Sequence, residues 1–512
     1  MALKPEQISG LRDACAAITA PINDWLLEDA ARRIADAGRF AGMDHGKMTA
    51  TAAYEIYRAK ALGESQRELK KFMKRQLGLS NKEIRRLFRQ AARMSRDNDE
   101  EHVGLTSGAD IEQMAEAAIK LAQKDFRNLT QTLGMVGRNG KAQPLQKFYQ
   151  EAMDFAFEQI FTGAADYETA IRQATTKMAD SGVRTIDYES GVSTSLEAAV
   201  RRNMMGGMGL MDEQITQANH DALGCNGWEI SAHANSAPDH EPIQGKQYSD
   251  AEFARLNGSL TRRIGTLNCG HVAFPILLGI NSPQYTEEEL RAFREDNAKG
   301  ITYEGRHYTG YEATQKQRQL ERAQRKQKRR ILVADTTGDA VSKQTAQIRL
   351  QMLRQHYKAF SKAAGLPLQQ ERMWVAGFGA KQAKEAASTY QEFEKQKKDA
   401  IIIEKIRKAG NFKKAAEIHL TPTPIGTNTL GFDDTHINKE RDHSVTKEQA
   451  IQWIKDARIS VTVWGGQFER YYSFEGAAYV NIEGNYIRTA YQKKQFDENM
   501  QAIMEVIEEY GL

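Results

Sequence analysis

A group of potential metal ligands is concentrated in the middle of the chain. Between residues 228 and 271 lie three imidazoles and one thiol, with the carboxylate of Asp239 beside them, in the order His233, Asp239, His240, Cys269 and His271. Imidazole nitrogen and thiolate sulfur are donors that Zn²⁺ favours, usually four of them in a tetrahedron. These residue types therefore predict a zinc site formed by His233, His240, Cys269 and His271. Asp239 would be a further ligand or would orient one imidazole.

The spacing leaves a second interpretation open. Gly270 alone separates Cys269 from His271, which permits a tight turn, but the spacing matches no zinc finger. The same polar groups would also be satisfied by hydrogen bonds to one another and to the backbone. A zinc hydrolase is disfavoured, because the sequence has no His-Glu-x-x-His and no obvious separate general base. A structural zinc ion is thus the one cofactor that the sequence suggests.

A second group, near the C-terminus, suits phosphate chemistry. Basic residues precede a helix and two hydroxyl-bearing residues follow on a strand; they are His436, Lys439, Arg441, His443, Thr489 and Tyr491. Side chains two apart on a strand share a face. In metal-independent RNA cleavage one imidazole takes the 2′-OH proton, another protonates the leaving oxygen, and a cation stabilises the phosphate charge. We predict His436, Arg441, His443, Thr489 and Tyr491 as catalytic, the alternative being an adaptor module with surface histidines.

The elements that must position these groups follow from periodicity. Apolar residues recur at helical spacing over most of the chain, lapse between about residues 224 and 280, and alternate near the end. The pattern predicts a mainly α protein with a small loop-and-strand central domain and a C-terminal α+β module. The boundaries are 1–212 (helical), 213–285 (His/Cys domain), 286–419 (helical, with a basic helix), 420–431 (Pro/Gly linker) and 432–512 (α+β module).

Composition excludes several classes of protein. The 71 Lys+Arg against 67 Asp+Glu leave a net charge of +4 in 512 residues, so nucleic-acid binding would have to be local. Three widely spaced cysteines do not form a disulfide framework. No apolar run approaches the length of a membrane span and no export signal stands at the start, so we expect synthesis in a reducing cytoplasm and no membrane partner.

Two segments are locally basic. Arg58–Arg96 carries thirteen Lys/Arg and three Glu, and Gln315–Arg330 carries eight Lys/Arg and one Glu. Each segment has two interpretations: a surface that contacts DNA or an acidic partner, or a solvated helix face. We expect Arg318–Arg330 to be exposed. Ser80 and Glu83 form the pattern of a capping box, which predicts that a helix begins there.

The middle of the chain resembles the phage minor capsid protein 2 family, distantly similar to MuF-like head-morphogenesis proteins. The resemblance lies in Ser231–His233, Pro238–His240, Gln244–Ser249 and Asn268–His271, and continues in Tyr308–Arg318 and Phe360–Leu366. Ile243 and Gly270 depart from the Trp and Arg usual there. The resemblance to this family implies a low-copy head protein near the portal. Its partners would be portal and capsid proteins and packaged DNA, and it would be located in the virion after assembly in the host cytoplasm.

The last segment resembles the barnase, EndoU, colicin E5/D and RelE-like nucleases found as toxin modules on phage head proteins. The similarity is limited to about residues 432–512, in the order helix, strands and then Ile487–Tyr491. It implies a metal-independent endoribonuclease with host RNA as substrate. Two alternatives are a purely structural capsid protein and an ADP-ribosyltransferase; the latter would need a glutamate pair where the late strand has Thr489 and Tyr491.

Overall fold

The computed structural model describes residues 3–512 except 4, 105, 107–109, 188, 262 and 266–269. The chain divides into two compact units, Met1–Ala387 and Ser388–Leu512. Within the described residues, no helix combines the length and the apolar composition needed to cross a membrane. The predicted mainly α architecture with small sheets is confirmed.

Long helices make up most of the first unit. They are α1 (Pro5–Phe40), α2 (Ala50–Val103), α3 (Ile111–Gln131), α4 (Leu145–Phe161), α5 (Tyr167–Ser181), α6 (Leu196–Ala222), α7 (Asp250–Ser259), α8 (Glu287–Lys299), α9 (Gly310–Thr337) and α10 (Ala340–Ala363); α11 (Ala380–Ala409) begins here. Capping boxes at Ser249, Thr286 and Thr309 satisfy the first N–H groups of α7, α8 and α9. The apolar faces of α1, α2, α3, α4 and α6 form one core.

Short antiparallel sheets connect these helices. The strands are β1 (Leu133–Val136), β2 (Ala142–Pro144), β3 (Arg184–Ile186), β4 (Ser193–Ser195), β5 (Gly227–Ile230), β6 (Gln247–Ser249), β7 (Ala273–Ile276), β8 (Ile301–Tyr303) and β9 (Arg306–Tyr308). Their orders are β2-β1-β3-β4, β6-β5-β7 and β8-β9. The middle sheet forms the loop-and-strand region predicted around the His/Cys group.

The helix start predicted at Ser80 is wrong. Thr49 caps the start of helix α2, where its side chain accepts the N–H of Ala52, and the helix continues without a break from Ala50 to Val103. Ser80 is buried within it, and the following turn places Ile84 and Phe88 in the core. Tertiary burial of this apolar face therefore overrides the local capping signal.

The expected exposure of the basic segment of α9 is also wrong. Arg330 donates to both carboxylate oxygens of Asp180 on α5, at 2.5 and 2.9 Å. Arg325 and Arg329 lie 3.1 and 3.8 Å from Glu197 on α6, and their side chains are only 15% and 17% exposed. These cations pair with carboxylates on neighbouring helices. The unpaired charge that would have suggested an assembly surface on α9 is therefore absent at these three residues.

The second unit is a sheet covered on both faces. Its elements are the end of α11, β10 (Glu417–His419), β11 (Gly431–Phe432), a π-helical turn (Thr435–Glu440), α12 (Lys447–Lys455), β12 (Ile459–Val463), a 3₁₀ turn (Trp464–Gly466), β13 (Phe468–Tyr472), β14 (Gly476–Asn481), β15 (Tyr486–Gln492) and α13 (Glu498–Tyr510). The strand order is β10-β12-β13-β14-β15-β11, with β11 parallel to β15. Helix α12 packs on one face and α11 with α13 on the other, because apolar side chains alternate along the strands.

Candidate functional site

The β5–β7 ladder brings the ends of the predicted metal site together. Beyond the paired strands, the N–H of Ser231 donates to the carbonyl of Val272 at 2.8 Å, and the N–H of Val272 donates to the Ser231 hydroxyl at 3.0 Å. His233 follows Ser231 and His271 precedes Val272. Residues far apart in sequence are therefore neighbours across the ladder.

Three of the predicted ligands form one histidine cluster: His233, His240 and His271. The rings of His233 and His271 stack with centroids 4.3 Å apart, and Nδ1 of His240 lies 3.3 Å from Nδ1 of His271. His240 and His271 are almost completely buried, at 3% and 2% exposure. Oδ2 of Asp239 lies 3.9 Å from Nε2 of His240, so the carboxylate flanks the cluster.

A glutamine orients the most buried imidazole. Oε1 of Gln244 lies 3.0 Å from Nε2 of His271, and the Ser236 hydroxyl lies 3.3 Å from the same nitrogen. If Nε2–H donates to Gln244, the Nδ1 lone pair points towards His240. Burial, together with the nearby His233 and His240, lowers the pKa of His271 to about 2.

The zinc site stays a prediction. Cys269 lies outside the described residues, and among those described no set of three or more His, Cys, Asp or Glu is arranged to hold an ion. Two Zn–N bonds of about 2.1 Å in a tetrahedron place their nitrogens about 3.4 Å apart. The Nδ1 atoms of His240 and His271 are 3.3 Å apart, a distance that fits two zinc ligands and also fits an N–H···N hydrogen bond. A Cβ at Gly270 would meet Nε2 of His233 at 2.9 Å, so the ring occupies the space of a larger residue there.

In the second unit, a strained loop holds His443. Asp442 and Ser444 on either side of it have φ of 53° and 52°, the left-handed region that L-residues rarely adopt. The His443 N–H donates to the carbonyl of Ile437 at 3.1 Å, and Nε2 of Gln492 donates to the carbonyls of His443 and Ser444 at 3.2 and 2.8 Å. Backbone strain of this kind is concentrated at functional positions.

The loop places the His443 ring against the sheet. Its centroid is 4.6 Å from that of Tyr491, which shares a face of β15 with Thr489. Thr489 is 8% exposed, and its Oγ1 has no hydrogen-bond partner in the part of the chain that is described. Burial, followed by the charges of Arg441 and His436, lowers the pKa of His443.

The other predicted basic residues lie beside this loop. His436 is in the π-helical turn, where Nδ1 lies 2.9 Å from Oε2 of Glu440 and the backbone N–H donates to Asp433. Asp433 also pairs with Arg488 of β15, which ties the turn to the sheet. Arg441 is exposed and has no ion-pair partner among the residues described. Thus the His443 ring contacts Tyr491 on the sheet face that also carries Thr489, whereas His436 pairs with Glu440 in the π-helical turn.

Sequence reasoning missed several residues of both sites. Gln244 bonds to the His271 ring and Gln492 donates to the backbone carbonyls of His443 and Ser444, contacts for which no sequence spacing is diagnostic. Arg470 and Tyr479 lie on the same sheet face as Thr489, and Arg470 belongs to strand β13. The sequence of that strand, Phe-Glu-Arg-Tyr-Tyr, has no apolar–polar alternation, so periodicity alone does not identify it.

Comparison with known proteins places the first unit. The family described as Phage minor capsid protein 2 matches residues 3–362, well over half of the 512-residue chain. No curated protein and no solved structure gives a significant match. The match includes the histidine cluster and ends before the second unit begins. The chain therefore belongs to the phage minor capsid protein 2 family.

Proposed function

We propose that this chain is a structural protein of a tailed-phage head whose second unit cleaves RNA. Family membership supports the first part: the partners are portal and capsid proteins, and the protein resides in the virion after assembly in the host cytoplasm. The second part rests on the face formed by β14 and β15. A purely structural role is the competing function, and an ADP-ribosyltransferase lacks support because β15 contains no glutamate.

The observation that carries the nuclease proposal is the placement of His443. A half-buried imidazole, held between two left-handed residues, lies against the Tyr491 ring on the sheet face that also carries the buried hydroxyl of Thr489. The lowered pKa keeps this imidazole neutral at physiological pH, as a general base requires. Arg441 supplies an exposed cation two residues away.

The proposed reaction uses these groups in order. His443 accepts the proton of a ribose 2′-OH, and the 2′-oxygen attacks the adjacent phosphorus. The P–O5′ bond breaks as His436 donates a proton to the leaving 5′-oxygen, while Glu440 orients the His436 ring. Arg441 stabilises the negative charge on the phosphate, and Thr489 and Tyr491 donate hydrogen bonds to it. The products carry a 2′,3′-cyclic phosphate and a 5′-hydroxyl.

The test is cleavage of end-labelled RNA by the full chain. We expect His443→Ala to lower the rate by about 10²- to 10⁴-fold. Arg441→Ala should cost about tenfold or more through loss of a charge-assisted hydrogen bond, and Thr489→Ala less than that. Expression of the wild type, but not of His443→Ala, should be toxic to bacteria.

The matched control is His307→Ala, which removes an exposed histidine of β9 in the first unit. It should cleave like the wild type. If the folded wild-type chain leaves bulk RNA and tRNA intact, the nuclease proposal fails and the second unit is a binding appendage.

A structural zinc ion is the second function we propose. One support is the 3.3 Å distance between the Nδ1 atoms of His240 and His271. Another is the hydrogen bond between Nε2 of His271 and Oε1 of Gln244, because metal-bound imidazoles are usually oriented by such a bond at their other nitrogen. His233 and Cys269 would complete the ligand set. The ion would stabilise a region that has few strands and a small apolar core.

Packaged DNA is the third partner we propose, at the middle of α2. This segment carries six exposed cations without an ion-pair partner among the described residues: Arg67, Lys70, Lys71, Lys74, Arg75 and Lys82. They fall on one side of the helix, opposite Phe72 and Met73. Further along, Arg89 lies within ion-pair distance of Glu112 and Glu116 on α3, so charge in that later part of the helix is partly neutralised. Unpaired cations on one helix face suit a phosphate backbone.

A further inference from the structure

A continuous row of rings and one guanidinium crosses the sheet face that carries Thr489. Arg470 of β13 is directly opposite Tyr479 of β14, which is opposite Thr489 of β15, and opposite residues share a face. The Arg470 guanidinium lies 4.7 Å above the Tyr479 ring, and the Tyr479 centroid is 5.5 Å from that of Tyr491. Since Tyr491 contacts His443, the row leads to the proposed base.

The outer end of this row is Trp464, in the turn between β12 and β13. The Arg470 guanidinium is 5.5 Å from its ring, and Phe468 packs edge-on at 5.0 Å. The Trp464 side chain is nevertheless 63% exposed. Its φ is 53°, although Gly465 and Gly466, which adopt positive φ without strain, are adjacent. A bulky residue that is both strained and exposed is not explained by packing, so its position points to a ligand.

Neighbouring aromatic rings with a guanidinium between them are suited to one chemistry. Every nucleobase presents a π-face, so aromatic side chains hold single strands with little regard to sequence. Arg470 adds a positive charge for the phosphates and a flat surface for stacking. We propose that Trp464, Arg470, Tyr479 and Tyr491, the aromatic row, bind single-stranded RNA: the exposed Trp464 stacks on a base, Arg470 contacts the phosphates, and the partly buried Tyr479 and Tyr491 support the strand towards His443. This inference rests on the proposed nuclease function and assigns its substrate-binding track.

The test measures binding separately from cleavage. In the full chain carrying His443→Ala, the affinity for a labelled single-stranded RNA of about eight nucleotides is compared with and without Trp464→Gly. We expect about tenfold weaker binding or more, the usual effect of losing one stacking contact. Glycine adopts the left-handed conformation freely, so the thermal midpoint should stay the same or rise. A packing role would instead lower it.

Matched variants complete the design. Trp464→Phe should retain most of the affinity, and Trp374→Gly, at another half-exposed tryptophan, should have no effect on RNA binding. Duplex RNA of the same sequence should bind more weakly than the single strand because its bases are inaccessible.

Four outcomes decide between the alternatives. Unchanged affinity in Trp464→Gly overturns the aromatic row even if the wild type cleaves RNA. Equal binding of single strands and duplexes also overturns it, because charge alone would then account for the affinity. Weaker binding by Trp464→Gly in a chain that cleaves no RNA supports the row and rejects the nuclease. Absence of single-strand binding at micromolar concentration overturns the inference and leaves a protein partner as the occupant.

Discussion

Two buried or half-buried histidines show how neighbours decide what one residue can do. Burial lowers the pKa of both His271 and His443, so both imidazoles are neutral at physiological pH. His271 has other imidazoles and an amide oxygen around it, which suits a metal ion. His443 has an arginine nearby and a tyrosine ring against it, which suits a phosphate. The same residue type thus supports two different predictions.

The zinc proposal makes a prediction at this scale. Full chain purified without chelators should contain about one zinc per chain, and His271→Ala should contain much less, because one of four ligands is lost. A chelator should lower the thermal midpoint of the wild type and not that of the variant, since metal binding contributes to folding. Elemental analysis and a thermal melt measure both quantities.

The control for the zinc prediction is His307→Ala, which removes an exposed histidine outside the cluster and should retain the metal. Wild-type protein that is folded but free of zinc would leave the cluster as a hydrogen-bonded network.

At the scale of elements, the two basic helices differ in where their charges go. The cations in the middle of α2 point into solvent, whereas four of those on α9 pair with carboxylates of α1, α5 and α6, namely Arg325, Lys326, Arg329 and Arg330. Asp180 is the clearest example, since Arg330 and Lys326 both lie within 3.0 Å of its carboxylate. Burial favours its neutral form, but these two cations outweigh burial and lower its pKa.

Asp180→Asn should therefore destabilise the first unit, by about 1 to 2 kcal/mol at pH 7, because two partly buried cations lose their counter-charge. A carboxylate whose pKa is lowered by folding stabilises the protein above its unfolded value of 3.8, and that contribution is lost as pH falls through the folded pKa. Denaturation followed by circular dichroism should show the difference from wild type narrowing between pH 6 and pH 3.

Asp335→Asn is the matched control for Asp180→Asn, since Asp335 pairs with Lys343 but is 51% exposed. It should change the free energy of unfolding by less than about 0.5 kcal/mol. A constant effect of Asp180→Asn across that pH range would contradict the proposed ion-pair contribution.

For the whole molecule, the proposals assign DNA and RNA to different units. Replacing Lys70, Lys71 and Lys74 with Gln should weaken duplex DNA binding and reduce the slope of log affinity against log salt by about two to three, at about 0.9 per lost phosphate contact. RNA cleavage should be unchanged. His443→Ala should show the reverse, with cleavage lost and DNA affinity retained. Filter binding over a salt series and the RNA assay measure both.

A charge-matched control for the α2 variant neutralises Lys120, Lys124 and Lys141, which are exposed elsewhere in the first unit. This control has the same net charge as the α2 triple variant, and it should bind DNA like the wild type. Equal losses in the two triple variants would mean that overall charge, not the α2 surface, governs binding.

The sequence alone determined the mainly α class, the lapse of helical period around the histidine cluster, and the family. Each of these depends on local periodicity or on motifs of contiguous residues, such as Asn268–His271. It also identified Thr489 and Tyr491 as sharing a strand face, because alternation is a property of the chain itself.

Only the tertiary structure decided which charges are free and which side chains meet. The sequence pattern for Ser80 and for the cations of α9 was the same as for a true helix start and a solvated helix, and burial against other helices reversed both predictions. Likewise Gln244, Gln492 and Arg470 acquire their roles from partners 27, 49 and 9 residues away. Contacts between distant segments depend on packing, which no short window of sequence contains.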